Sequence, residues 1–122
     1  MAERSDYQLS IQHPEGGVVG TDLRVVFADT FFSRLVGLLS RRALSYQEGL
    51  LLYPCASIHT IGMRFPIDVL FLDKKNKVLG VADGVFPNRL RFAPKGTDKV
   101  LEIAHGNRTR TGINLDDYLI FD

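Results

Sequence analysis

The chain has no tryptophan and a single cysteine in 122 residues. One cysteine excludes an intramolecular disulfide framework. Charge of one sign is also lacking: Lys and Arg number 15 and Asp and Glu 14, a net charge of +1. That balance removes the bulk electrostatic case for nucleic acid or an anionic membrane surface. No apolar run reaches membrane-span length. The segment from Met1 to Gln12 carries Glu3, Arg4 and Asp6 and has no apolar core of a signal peptide. The expectation is therefore a soluble, cytoplasmic protein as written, exported only where a leader has been removed. No repeat or low-complexity segment occurs. Gly16-Gly17 and Gly20 lack the strand–turn–helix context of a phosphate loop. No C-x-x-C or H-E-x-x-H pair is present, so neither metal nor cofactor is expected from a motif.

What is present is the composition of a globular domain, 45% hydrophobic and 24% charged. At this length a single domain buries roughly two-thirds of its surface. Strand patterns dominate. Tyr7–Gln12 is followed by the turn-rich His13-Pro14-Glu15-Gly16-Gly17 and a second strand at Leu23–Ala28. Further candidates are Leu50–Tyr53, Ser57–Ile61, Ile67–Leu72, Val78–Ala82, an alternating stretch through Phe86, Leu90 and Phe92, Val100–His105 and Tyr118–Phe121. Asp73-Lys74-Lys75-Asn76 reads as a hairpin loop.

One helix is expected over residues 31–42. Phe32, Leu35, Val36 and Leu39 form one apolar stripe, and Thr30 is placed to cap it. About eight short strands and one short helix predict a mainly β domain, a sandwich or small barrel. Residues 1–20 form a strand and turn-rich lead-in, and residues 21–122 the β domain.

The segment Cys55–Asp68 carries the chemistry. Asp68 lies in an apolar strand, where an ionised carboxylate needs a partner or several N–H donors. It is either a base or a structural carboxylate tying the Gly62–Pro66 loop. His59 suits proton transfer or metal ligation, or is a hydrogen-bonded structural histidine. Cys55 and His59 lie roughly 13 Å apart by strand rise, so a Cys–His dyad needs a bend. Cys55 reads better as a buried thiol. Glu102 repeats the Asp68 pattern, and the two carboxylates would be an acid–base pair only if they face one cavity. Arg34 on the helix could pair with either. Thr60, Met63 and Arg64 complete the candidate loop: Met63, with Phe65, lines a pocket mouth or is plain core or rim, and Arg64 binds an anion or is a solvated surface charge.

Ser57-Ile58-His59-Thr60-Ile61-Gly62-Met63, then Pro66-Ile67-Asp68-Val69-Leu70-Phe71-Leu72-Asp73, resembles the family called domain of unknown function 192. Arg34-Leu35-Val36-Gly37-Leu38-Leu39, Gly49-Leu50-Leu51-Leu52, and Val100-Leu101-Glu102 with Gly106 agree with it. The resemblance covers roughly residues 21 to 121. It implies a mostly β, sandwich-like domain with the His-Thr-x-Gly-Met loop close to the Asp. It carries over no catalytic residue.

Three functions are compatible with these residues. The first is a binding or accessory module for a small molecule or protein, with a pocket or loop centred on His59 and Asp68. The second is a small hydrolase or isomerase-like enzyme using Asp68, His59 and Glu102. The third is a metal site through His59 and Asp68. No complete catalytic constellation is visible, since no nucleophile sits beside an evident base. A monomer or small homo-oligomer is expected.

Overall fold

A computed structural model of the chain describes residues 6–28, 45–53, 57–59, 65–86 and 90–122, with the backbone alone for 28, 57–59 and 90–92. The expected helix over 31–42 lies outside the described residues, as do Arg34, Cys55, Thr60, Met63 and Arg64.

Among the described residues there are nine strands. They are β1 Tyr7–Gln12, β2 Val18–Ala28, β3 Glu48–Leu52, β4 Ser57–His59, β5 Ile67–Leu72, β6 Val78–Val85, β7 Leu90–Phe92, β8 Lys99–Ala104 and β9 Tyr118–Phe121. A five-residue helix, α1, spans Asn107–Thr111. The fold is mainly β, as the sequence pattern implies. Seven strands make one sheet in the order β6-β5-β8-β3-β2-β1-β9, and β4 and β7 make a separate two-stranded ribbon. An isolated bridge, Lys77 to Tyr118, joins the start of β6 to the opposite edge strand. It does not extend into a ladder, so the sheet is not closed into a barrel.

Local chemistry explains the turns. In the β1–β2 hairpin the His13 N–H donates to the Gly17 carbonyl and the Gly16 N–H to that of His13. In the β5–β6 hairpin Asp73 Oδ1 accepts the N–H groups of Lys75 and Lys77, the local side-chain bonding that makes Asp a turn former. β2 carries extra residues opposite Leu9. There Thr21 Oγ1 donates to the Leu9 carbonyl and accepts the Leu23 N–H, so the irregular backbone keeps its partners. β2 and β3 pair in parallel. Parallel neighbours need a crossover of about a dozen residues or more, and the chain between Ala28 and Glu48 supplies it.

The sheet is apolar on both faces around β5, whose six residues are all buried. Side chains alternate between faces. One face carries Leu70 and Leu72 with Leu9, Ile11, Leu23, Val25, Leu51, Leu101, Ile103 and Leu119. The other carries Ile67, Val69 and Phe71 with Leu52, Phe65, Val85 and Val100. Residues from seven strands meet on the first face, so the sheet curls around it.

Candidate functional site

Asp68 is the second residue of β5 and is 1% exposed. Its register partner on β8 is Ile103, while Val69 pairs with Glu102. Residues in register point to the same face. Asp68 therefore lies on the Leu70 and Leu72 face, and Glu102 on the opposite one. Glu102 is fully buried, flanked in register by Val69 and Leu50. The two carboxylates that could have formed an acid–base pair are separated by the sheet itself. His59 closes β4, paired with Leu90; its backbone is placed in the ribbon and nothing of its side chain is described.

The structure brings a different set to Asp68. Oδ1 accepts the Gly84 N–H at 2.8 Å and faces His105 Nδ1 at 3.0 Å. Oδ2 accepts the N–H groups of Gly106 at 2.9 Å and Arg108 at 3.1 Å. The carboxylate thus ties the end of β6 to the turn after β8 and to the start of α1. Among the described residues the donors are Gly84, Gly106 and Arg108; Gly62–Arg64 of the loop named in the sequence reading lie outside the described residues.

α1 depends on this arrangement. A five-residue helix cannot sustain itself. Its N-cap, Gly106, has no side chain to offer the first turn. Asp68 takes that role from a neighbouring strand, accepting the orphan N–H of Arg108. The helix ends at Gly112, in the left-handed region at φ 80°, whose N–H returns to the Arg108 and Thr109 carbonyls.

Two arginine forks fasten the same helix outward. Arg108 Nε and Nη2 donate to the two oxygens of Asp83 at 2.6 and 2.7 Å, and Nη1 donates to the Ile113 carbonyl at 3.0 Å. Arg110 makes a second bidentate pair with Asp22, at 3.1 and 2.8 Å. It also donates to the buried Asn107 side chain and to the Tyr46 carbonyl. Planar guanidinium–carboxylate pairing is geometrically specific. The Arg108 hydrogen bonds hold the Asp83 carboxyl below its ordinary value; burial opposes this, and the charges of Arg108 and His105 add to it. Asp22 is lowered in the same way by Arg110.

His105 is the member with a free side. Its side chain is 56% exposed although it touches a carboxylate that is 2% exposed. Gly84 explains the fit. It sits at φ +60°, and a Cβ there would come 2.8 Å from His105 Cε1. Only glycine lets the β6 backbone lie this close to the ring. A second pair, His13 Nδ1 with buried Asp117 Oδ1 at 3.0 Å, occurs in the β1–β2 turn; there Asp117 also accepts the Asn114 N–H.

The sequence reading placed Asp68 and missed its partners. His105 entered only as the last residue of a strand candidate, and Gly84, Asp83 and Arg108 did not enter as site residues. The His105-Gly106-Asn107 turn after an apolar strand was the available signal, since a glycine before a short polar stretch is where a chain can reverse.

The described residues include no group of three or more His, Cys, Asp or Glu able to hold a metal. Among the described residues Asp68 accepts three backbone N–H groups and contacts the His105 ring. An open depression of about 320 Å³ is lined by Gln8, Thr21, Asp22, Arg24 and Gln47, away from the Asp68 contacts. No helix among the described residues is long and apolar enough to cross a membrane.

Comparison with known proteins adds the following. The family model DUF192, described as uncharacterized ACR, matches residues 12–121. No curated protein matches the chain. Among solved structures, a candidate transcription regulator from Sinorhizobium meliloti is similar with a TM-score of 0.82 at 19% identity, covering 99% of this chain and 97% of that one. A protein of unknown function from Novosphingobium aromaticivorans has a TM-score of 0.77 at 24% identity, covering 94% and 84%. At these identities the likeness is one of fold.

Proposed function

The chain belongs to the uncharacterised family DUF192, and from that premise we propose that it is a binding or accessory module whose ligand-facing surface is the corner organised by Asp68. The observation that supports this reading is the saturation of Asp68 by three backbone N–H groups and one imidazole. A carboxylate so committed organises a surface and does not itself transfer protons. The hydrolase alternative needs Asp68 and Glu102 in one cleft, and their placement on opposite faces counts against it. The outward groups of the corner are His105 and Asp83, carried by a backbone locked from three elements. Such rigidity suits recognition, because little ordering entropy remains to be lost on binding.

The occupant is a small molecule or the polar side chain of a protein partner, and the proposed compartment is the cytoplasm. The test is a screen of small polar fragments by amide chemical-shift perturbation on the whole chain. Saturable shifts should cluster on Gly84, His105, Gly106 and Arg108. Shifts that cluster on the Gln8, Asp22 and Gln47 depression would move the binding surface there and overturn the proposal.

A further inference from the structure

We propose that Asp83-Gly84 is a gated self-modification site, which closes to a succinimide and reopens as isoaspartate once its contacts with Asp68 and Arg108 are broken. The inference goes beyond the binding reading and stands whether or not the corner takes a ligand.

The chemistry begins with the sequence. Asp83-Gly84 is the only Asp–Gly step in the chain, and there is no Asn–Gly step. Glycine has no Cβ to hinder the approach of its own nitrogen to the preceding side chain. In the first step the Gly84 nitrogen bonds to Asp83 Cγ. The nitrogen loses its hydrogen and the protonated carboxyl loses its hydroxyl, and these depart together as water. A succinimide ring remains. Water then adds to one of the ring carbonyls. Opening at the Asp83 main-chain carbonyl leaves the chain running through the side-chain carbons, which is isoaspartate. Opening at Cγ restores aspartate. One water leaves and one enters, so no other reactant is needed.

The sheet is interrupted where this pair lies. Ile67 pairs with Val85 and Val69 with Ala82, so β6 carries an extra residue opposite Asp68. A bulge takes backbone groups out of the ladder. Gly84, at φ +60°, gives its N–H to Asp68 Oδ1 at 2.8 Å instead. Side chains therefore hold both reacting groups. Asp68 holds the nitrogen: removing its proton would set a second anion against a carboxylate that is itself buried. Arg108 holds the carboxyl, with Nε and Nη2 on the two Asp83 oxygens at 2.6 and 2.7 Å. That fork favours the ionised form, and an ionised carboxyl has no hydroxyl to lose. The two holds share a member, since the Arg108 N–H also donates to Asp68. Asp83 is 43% exposed, so water reaches the ring once it forms. The product no longer fits the corner. An isoaspartyl link lengthens the β6 backbone by one carbon and takes the carboxylate from its place on Arg108.

The experiment incubates the whole chain at neutral pH and physiological temperature. Isoaspartate is read by specific enzymatic methyl transfer and located by peptide mapping. The folded parent should convert at Asp83 far more slowly than the same chain in concentrated urea. Arg108→Ala should speed conversion by about tenfold, the worth of one charge-assisted hydrogen bond. Asp68→Asn, which takes the acceptor from the Gly84 N–H, should speed it as well. Arg110→Ala cuts the other fork of the same helix, to Asp22, and should leave the rate at Asp83 unchanged. No isoaspartate at Asp83 in urea overturns the site. Conversion of the folded parent at the urea rate overturns the gate. So does an unchanged rate in Arg108→Ala, or an equal rise in Arg110→Ala, which would trace conversion to loosening of α1 as a whole. Where Arg108→Ala does not fold, Asp68→Asn decides in its place, and an unchanged rate there overturns the gate.

Discussion

Asp68→Asn is the most discriminating substitution in this protein. It changes almost no volume, so packing is conserved and the effect isolates hydrogen bonding and charge. The amide keeps one oxygen and turns an NH₂ toward two former donors. Aimed at Oδ2's partners, it would face the Gly106 and Arg108 N–H groups, neither of which can become an acceptor. Aimed at Oδ1's partners, it meets Gly84 N–H and His105. His105 can move its hydrogen to Nε2 and accept through Nδ1. The second orientation is preferred, and Gly84 N–H is left without its partner. One orphaned buried donor costs about 1–3 kcal/mol. Loss of charge assistance in the bonds that remain raises the total to roughly 2–4 kcal/mol. Urea denaturation near neutral pH should show a lower midpoint with an unchanged slope. Ring ¹⁵N shifts of His105 should report the hydrogen moving from Nδ1 to Nε2. A stability change under ~0.5 kcal/mol with an unchanged tautomer would refute the organising role of Asp68, since that is the scatter of an ordinary surface substitution.

Gly84→Ala should destabilise by about 1–2 kcal/mol from its positive φ alone, and the new Cβ should displace the His105 ring, seen as loss of the Nδ1–H signal. Asn107→Ala removes a buried amide that donates to Tyr46 and accepts from Arg110; thermal or urea unfolding should register a loss of about 1–3 kcal/mol. Asp83 is held below its ordinary value, so its contribution is present above the usual carboxylate range, around pH 4, and is lost as the pH falls through its folded value. Asp83→Asn should therefore be less stable than the parent near pH 7, and the difference should narrow as the pH falls below about 4, as followed by unfolding down through the acid range; parallel curves would contradict the Arg108 pairing.

The strands were legible because their signal is local. β1, β5 and β9 begin and end where alternation and turn residues place them. β5 was readable as a strand buried on both sides, since it is apolar at every position except Asp68. β2 runs five residues earlier than its expected start at Leu23, because Val18 and Val19 pair across the hairpin with Gln12 and Ile11. That pairing depends on β1 and not on the β2 sequence. α1 was not anticipated. Asn107–Thr111 has no apolar stripe, and its stability comes from carboxylates on β2, β5 and β6.

The amino-acid sequence by itself determined a mainly β domain, its principal strands, and Asp68 as the polar group most in need of partners. Each follows from period-two burial and from the cost of an ionised group in an apolar strand. Only the tertiary structure decided what Asp68 does. Its donors lie 16, 37, 38 and 40 positions away. Spacing along a chain does not specify contacts at that range; strand register does. The same register put Glu102 on the far face of the sheet and gave the carboxylate His105 as its partner.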